Sequence, residues 1–266
     1  MTDAYLLQVH QELQAWEARG PTLLARISER FFGPLQQATR TLVPAEIHAE
    51  VSLLLDQTMK RLHQTGRWLI DPRKIRQQVD LSSRRLGSTF QASDELARNY
   101  WGWGLALAGV EGGLTGAAGW PGLLIDVPAL YTIALRTTQQ IAVCYGYDLD
   151  SEDEQAYSMC LVKAGSSADA ESKIASVFEL KKLEHALIME GGRYLRAAPL
   201  SIGVTREIAE AVGTGLLKRK ALQMLPIVGG LVGASFNAYF LHEVAEAAYM
   251  GYRRRHLADL KLLSGE

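Results

Sequence analysis

LPIVGGLVGASFNAYFL, Leu225 to Leu241, carries no charge and three glycines. It is too apolar for a solvent-facing segment and too rich in glycine for an ordinary helix. Extended back to Ala221, the charge-free run is 21 residues, about 32 Å as a helix, which is long enough to cross a bilayer. Its nine Leu, Ile, Val and Phe residues favour insertion by roughly 3–5 kcal/mol. Gln223, Pro226, Asn237 and the glycines oppose that gain. Spanning is therefore marginal, and three placements remain open: across a bilayer, shallowly on its surface, or inside a helical core.

The stretch has a counterpart upstream. GGLTGA at Gly112 to Ala117 matches GGLVGA at Gly229 to Ala234 with an offset of 117, and at that offset Leu124 pairs with Leu241 and Asp126 with Glu243. Each copy is a small-residue run, an apolar stretch and then a carboxylate, the pattern of a weak internal repeat. Four-residue glycine spacings (Gly109 and Gly113, Gly112 and Gly116, Gly229 and Gly233) put small residues on one helix side, where a second backbone can come close. Ala234, Ala238, Leu241, Ala245 and Ala248 continue that seam. The earlier run must also carry Glu111, which makes a transmembrane pair costly.

Outside these blocks the chain reads as helix after helix. Tyr5–Arg19 and Leu23–Phe32 stop at Gly-Pro pairs; Ile47, Val51, Leu54, Leu55, Met59 and Leu62 mark one side of a third helix. Asp71-Pro72 is an N-cap followed by proline at the first helical position, opening the basic stretch Arg73–Arg85. Ser93 begins a helix entering the glycine run, and Asp126 before Val-Pro reads as a cap for the next. Ala129–Tyr145 is closed by Gly146 as a left-handed C-cap. Ser166 with Asp169 is a weak capping box, Arg206–Lys220 is amphipathic, and Phe236–Leu263 is the longest helix. Strand alternation is scarce. The prediction is an all-α, irregular multi-helix bundle with two central glycine-rich apolar helix or hairpin segments. Residues 1–90 form an N-terminal helical segment and 91–266 the core, read as one continuous domain.

Composition excludes more than it assigns. A net charge of −1 gives no field for nucleic acid, and Arg84-Arg85 and Arg253-Arg254-Arg255 read as solvated helix faces rather than a nucleic-acid surface. Cys144 and Cys160, the two cysteines, lack CxxC spacing and read as buried thiols. The start MTDAYLLQVHQELQAW predicts no leader, hence a cytoplasmic protein. No phosphate loop, dinucleotide fingerprint or nucleophile elbow is present. His242 and Glu246 share a helix side and form a weak metal pair, but the zinc-hydrolase pattern needs histidine where Glu246 stands. A metal-dependent hydrolase built on Asp126, His242, Glu243 and Glu246 is the alternative reading. Asp126 pairing with Arg136 is another possibility for that carboxylate. Trp101, Trp103 and Trp120 around the first glycine run suit a bilayer interface, and Lys218-Arg219-Lys220 with Arg253–Arg255 flank the second, where anionic headgroups would meet them.

GVEGGLTGAAGWPGLLIDVPAL with Tyr145-Gly146-Tyr147-Asp148, and LPIVGGLVGASFNAYFLHEVAEAA, resemble the EcsC protein family. The matching positions are the glycine run, Asp126 with Pro128, Tyr145-Gly146, Leu225-Pro226, Gly229, Gly233 and Asn237, within an organisation spanning about 70–260. Val127 stands where the family pattern leads one to expect isoleucine. The resemblance implies a bacterial helical protein, cytoplasmic or membrane-associated, linked to a membrane transport system. It brings no catalytic residue and no cofactor. The expectation is a non-enzymatic accessory protein, peripheral at the inner face of the cell membrane and able to self-associate, which contacts lipid, an apolar ligand or a membrane partner. Its contact residues would be Gly112, Gly116, Asp126, Gly229, Gly233, Asn237 and Glu243.

Overall fold

The computed structural model of the chain describes residues 3–18, 44–65, 70–115, 119–167 and 231–264, with parts of 175–187 and 210–217. Among these the fold is all-α: α1 Asp3–Ala18, α2 Ala45–Thr65, α3 Pro72–Leu86, α4 Thr89–Thr115, α5 Gly119–Cys144, α6 Glu152–Ser166 and α7 Leu231–Ser264. Further helical turns fall within 175–187 and 210–217. No strand occurs among the described residues.

Local chemistry accounts for the clearest boundaries. Asp71 is extended, and its carboxylate accepts from the amides of Arg73 and Lys74, satisfying donors that the first turn of α3 leaves open. Gly87 ends α3 at φ +68° and Gly146 follows α5 at φ +89°, a region where a side chain would be strained. Three expectations are corrected. α4 starts at Thr89, four residues before Ser93, with Ser88 accepting from the Gln91 amide. α5 starts at Gly119 and runs through Asp126-Val-Pro128, so Asp126 lies within a helix and does not cap one. Pro128 offers no N–H to the carbonyl of Leu124, a defect that burial of the flanking apolar run must offset. Ser166 closes α6, donating to the Lys163 carbonyl, rather than opening the next helix.

α7 is the axis of the bundle. It packs on α4 most extensively, then on α6, α5 and α1. Contacts between side chains give the directions: Gly104 approaches Leu241 and Arg98 meets Tyr249, so α4 runs antiparallel to α7. Gly165 meets Val244 and Glu154 meets Arg255, so α6 is antiparallel too. α2 packs on α5, and α3 lies on α4 and α5. Two apolar clusters fill the interior. One, around Val51, Leu55, Tyr131, Phe240 and Leu241, lies toward the glycine segments. The other, around Ile75, Phe90, Tyr145, Tyr157 and Tyr252, lies at the opposite end. The glycines that permit close approach are Gly104, Gly165 and Gly251, whereas Gly109 of the expected GxxxG face has open space beside it.

Candidate functional site: two buried polar ends and an uncovered apolar side

Two polar residues that follow the glycine-rich runs meet. Asn237 on α7 donates to Asp126 on α5 across 3.3 Å, and both side chains are buried. Gly112 and Gly233 lie in α4 and α7, while Gly116 and Gly229 fall outside the described residues, as do Lys218-Arg219-Lys220 and most of the uncharged run from Ala221. Glu243, which the sequence offset aligns with Asp126, is also buried. Arg136 is exposed and ten residues, or about 15 Å, along α5 from Asp126, so it does not serve as that carboxylate's partner.

The metal-hydrolase reading is not supported. Among the described residues no group of three metal-ligating side chains comes together. His242 instead packs its ring 5.2 Å from Trp101, and Asp126 is engaged by Asn237. His185 is exposed. Cys144 and Cys160 are free thiols. Burial raises both, Cys160 to about 11, so neither is a nucleophile near neutral pH.

The arginine triplet overturns its sequence reading. Successive residues turn 100° on a helix, and α7 is surrounded, so each arginine enters a different contact. Arg253 is 0% exposed and reaches Glu12 at 2.5 Å and Asp94 at 2.7 Å. Arg254 pairs with Glu184 through two nitrogens. Arg255 grips Glu154 by two bonds of 2.9 and 2.5 Å, and its guanidinium lies 4.2 and 4.4 Å from the ring centres of Tyr147 and Tyr157. Asp94 also accepts from the hydroxyls of Tyr5 and Tyr145. Arg98 adds a longer contact to Asp94, 3.8 Å, and donates to the Tyr249 hydroxyl. These charges bind helices to one another, and none is left to face an anionic headgroup.

This end of the bundle is lined with phenols held neutral. Burial, with Asp94 adding to it, raises Tyr5 to about 12 and Tyr145 further, and burial likewise raises Tyr147, Tyr157, Tyr249 and Tyr252 here and Tyr131 in the other cluster. The unfolded chain releases these protons above pH 10, so folding stability is intact below 10 and declines as pH rises past it. Tyrosinate absorbance of the native protein should therefore lag a denatured control through pH 10–12 and then jump with unfolding. Simultaneous titration of all ten tyrosines near pH 10 without unfolding would contradict the burial.

One side of α4 differs from all of this. Leu96, Tyr100, Trp103, Leu107 and Val110 recur at three- and four-residue steps and share a side. α3 covers the first two: Leu96 and Tyr100 pack against the cluster containing Ile75 and Val79, and the Tyr100 hydroxyl donates to Gln78 at 2.9 Å. α3 begins at Pro72, and Arg76 near its start reaches Asp148 at 3.7 Å. Trp103 is 69% exposed, Leu107 48% and Val110 68%, with Ile125 at 69% on α5. Trp101, two residues from Trp103, turns inward onto His242 and Tyr249. Burial raises the Tyr100 phenol, Cys144 adds to this and the Arg136 guanidinium opposes it. Among the described residues no helix is long and apolar enough to cross a membrane.

Geometry thus defines a helical scaffold, braced internally by ion pairs, with one uncovered apolar strip beside its small-residue end. Comparison places it more closely. The profile of the EcsC protein family matches residues 7–257, from α1 to near the end of α7 and so well beyond the blocks that carry the resemblance. The chain belongs to the EcsC protein family. Protein EcsC of Bacillus subtilis (strain 168) is 26% identical over 270 residues, covering all of both chains. Uncharacterized protein YdbA of the same organism is 25% identical over 230 residues, 82% of this chain and 81% of its own. No solved structure matches the chain.

Proposed function

We propose that this protein is a non-enzymatic helical accessory that settles on a membrane surface through the uncovered side of α4 and the start of α5. The observation behind this reading is the strip Trp103, Leu107 and Val110, exposed where the preceding positions of the same ridge are partly covered, with Ile125 also exposed on α5. From Trp103 to Val110 is seven residues, about 10 Å along the helix, comparable to the depth at which interfacial helices sit. A bilayer fits this strip because it accepts apolar side chains at a shallow depth and favours indole at the headgroup level. Taking roughly 1.5–3 kcal/mol for each fully buried apolar side chain, the exposed fractions of Trp103, Leu107 and Val110 amount to roughly 3–6 kcal/mol before ordering costs. Such binding is reversible. The lipid contact therefore shifts from the glycines themselves to the residues just before and after the first glycine run.

Flotation with phospholipid vesicles tests it. The protein should rise with the vesicles, and Trp103→Glu with Leu107→Glu should leave it at the bottom of the gradient. Those positions are exposed, so the thermal midpoint should barely move. Undiminished flotation of the double variant would remove the strip from any lipid contact.

A further inference from the structure

We propose that the seat of α1 on the bundle is a helix-binding site, where an amphipathic helix of a protein partner can take the place of α1. The helix it accepts carries a carboxylate seven residues after a tyrosine, with apolar residues on the same side. α1 itself shows this chemistry. Its inner side runs Tyr5, Val9, Glu12, Leu13 and Trp16, the steps by which a helix anchors in a groove. Two polar contacts fix its position: the Tyr5 hydroxyl donates to Asp94 of α4, and Arg253 of α7 donates to Glu12 at 2.5 Å. The Tyr5 ring stands edge-on to Phe90, with ring centres 6.0 Å apart. The seat therefore offers an aromatic ring, an acceptor for a phenol and a cation for a carboxylate.

Charge pairing beneath α1 is complete without it. With α1 gone, Arg253 keeps Asp94 at 2.7 Å, and Asp94 keeps the Tyr145 hydroxyl and Arg98 at 3.8 Å. No buried charge is orphaned, the event that makes breaking a buried pair so costly. Glu12, the charge that leaves, is already 35% exposed. α6 is the contrast, since its departure would take Glu154 from the buried Arg255. α1 also buries just two apolar side chains, Val9 and Leu13, while Tyr5, Leu6 and Trp16 stay partly exposed. It packs on α7 less than α4, α5 or α6 do. A helix held by two polar clips and few apolar side chains belongs to the low-stability end of a fold, where opening is local. Contacts that exchange partners are likewise more polar than permanent ones.

The test adds a fluorescein-labelled peptide of residues 1–18 to the full chain and follows its anisotropy. A full chain carrying Tyr5→Phe and Glu12→Gln holds its own α1 loosely and should bind the peptide about tenfold or more tightly than wild type does. The same two changes placed in the peptide should instead weaken its binding to that chain about tenfold or more. One pair of substitutions thus acts with opposite signs according to which helix carries it. Native-state hydrogen exchange of the wild type needs no variant: the α1 amides should exchange together, ahead of those of α7. Equal protection of α1 and α7, no peptide binding to the variant chain, or a peptide indifferent to both substitutions overturns the proposal. A concentration-dependent dimer of the wild type that the peptide dissolves assigns the seat to α1 of a second copy and overturns the separate partner.

Discussion

Arg253→Met should lower folding stability by about 3–5 kcal/mol, the largest loss expected from any single charge in this protein. The guanidinium is wholly buried between Glu12 and Asp94 and lies 5.1 Å from the centre of the Tyr249 ring. Desolvation works against its charge, but the Asp94 carboxylate and its neighbours outweigh that, so its pKa is raised. Methionine fills a similar volume and removes the cation, leaving Asp94 buried with the phenolic donors of Tyr5 and Tyr145 and the longer Arg98 contact at 3.8 Å. At about 2–4 °C per kcal/mol for a chain of this size, the thermal midpoint should fall by roughly 10 °C. Adding Asp94→Asn to Arg253→Met should recover part of the loss, because the orphaned carboxylate is what makes the single change costly. Glu12→Gln should cost less, since that carboxylate keeps partial access to water. An Arg253→Met protein within 1 kcal/mol of wild type by chemical denaturation would mean that the cluster holds nothing together.

Features governed by a few neighbouring residues were legible in the chain. Asp71-Pro72 and Gly146 act through backbone donors and a left-handed φ, and they fall where those chemistries require. The long C-terminal helix was visible from its small-residue seam. What could not be read is set by distant partners. Three consecutive arginines look like a solvated helix end, and only the surrounding of α7 by other helices turns each toward a separate carboxylate. A weak clue was available: α7 has apolar residues on every side, the pattern of a buried helix. Asp94 carries no local signal at all, since its role depends on Tyr5, Tyr145 and Arg253, contributed by three other parts of the chain. α6 was missed although Ser151-Glu-Asp-Glu154 is a capping-box pattern. In the fold Ser151 makes no side-chain cap bond, and Glu154 is drawn away to Arg255. Trp101 and Trp103 were indistinguishable by composition, and two residues of helical turn send one inward and the other to solvent.

The second large effect falls on a glycine that no motif singled out. Gly165→Ala should destabilise the protein by about 3 kcal/mol, near the upper end of what overpacking costs. A Cβ there would lie 2.5 Å from the Val244 Cα and 2.8 Å from its amide nitrogen. Backbone cannot swing aside, so α6 and α7 would have to separate, loosening the Glu154–Arg255 grip one helix length away. Val244→Ala should therefore fail to rescue Gly165→Ala. Gly251 gives the opposite outcome at the same helix pair. Its added Cβ would meet the Tyr157 hydroxyl at 2.7 Å, the tip of a side chain, and that hydroxyl has no hydrogen-bond partner. Tyr157→Phe should consequently restore most of what Gly251→Ala loses. Gly109→Ala, in a helix with open space beside it, should instead gain up to ~1 kcal/mol from helix propensity alone. Thermal melts of these variants separate two uses of glycine in one bundle. If Gly165→Ala melted with wild type, α6 and α7 would not be in backbone contact, and the arginine–glutamate bridge built on that contact would lose its footing.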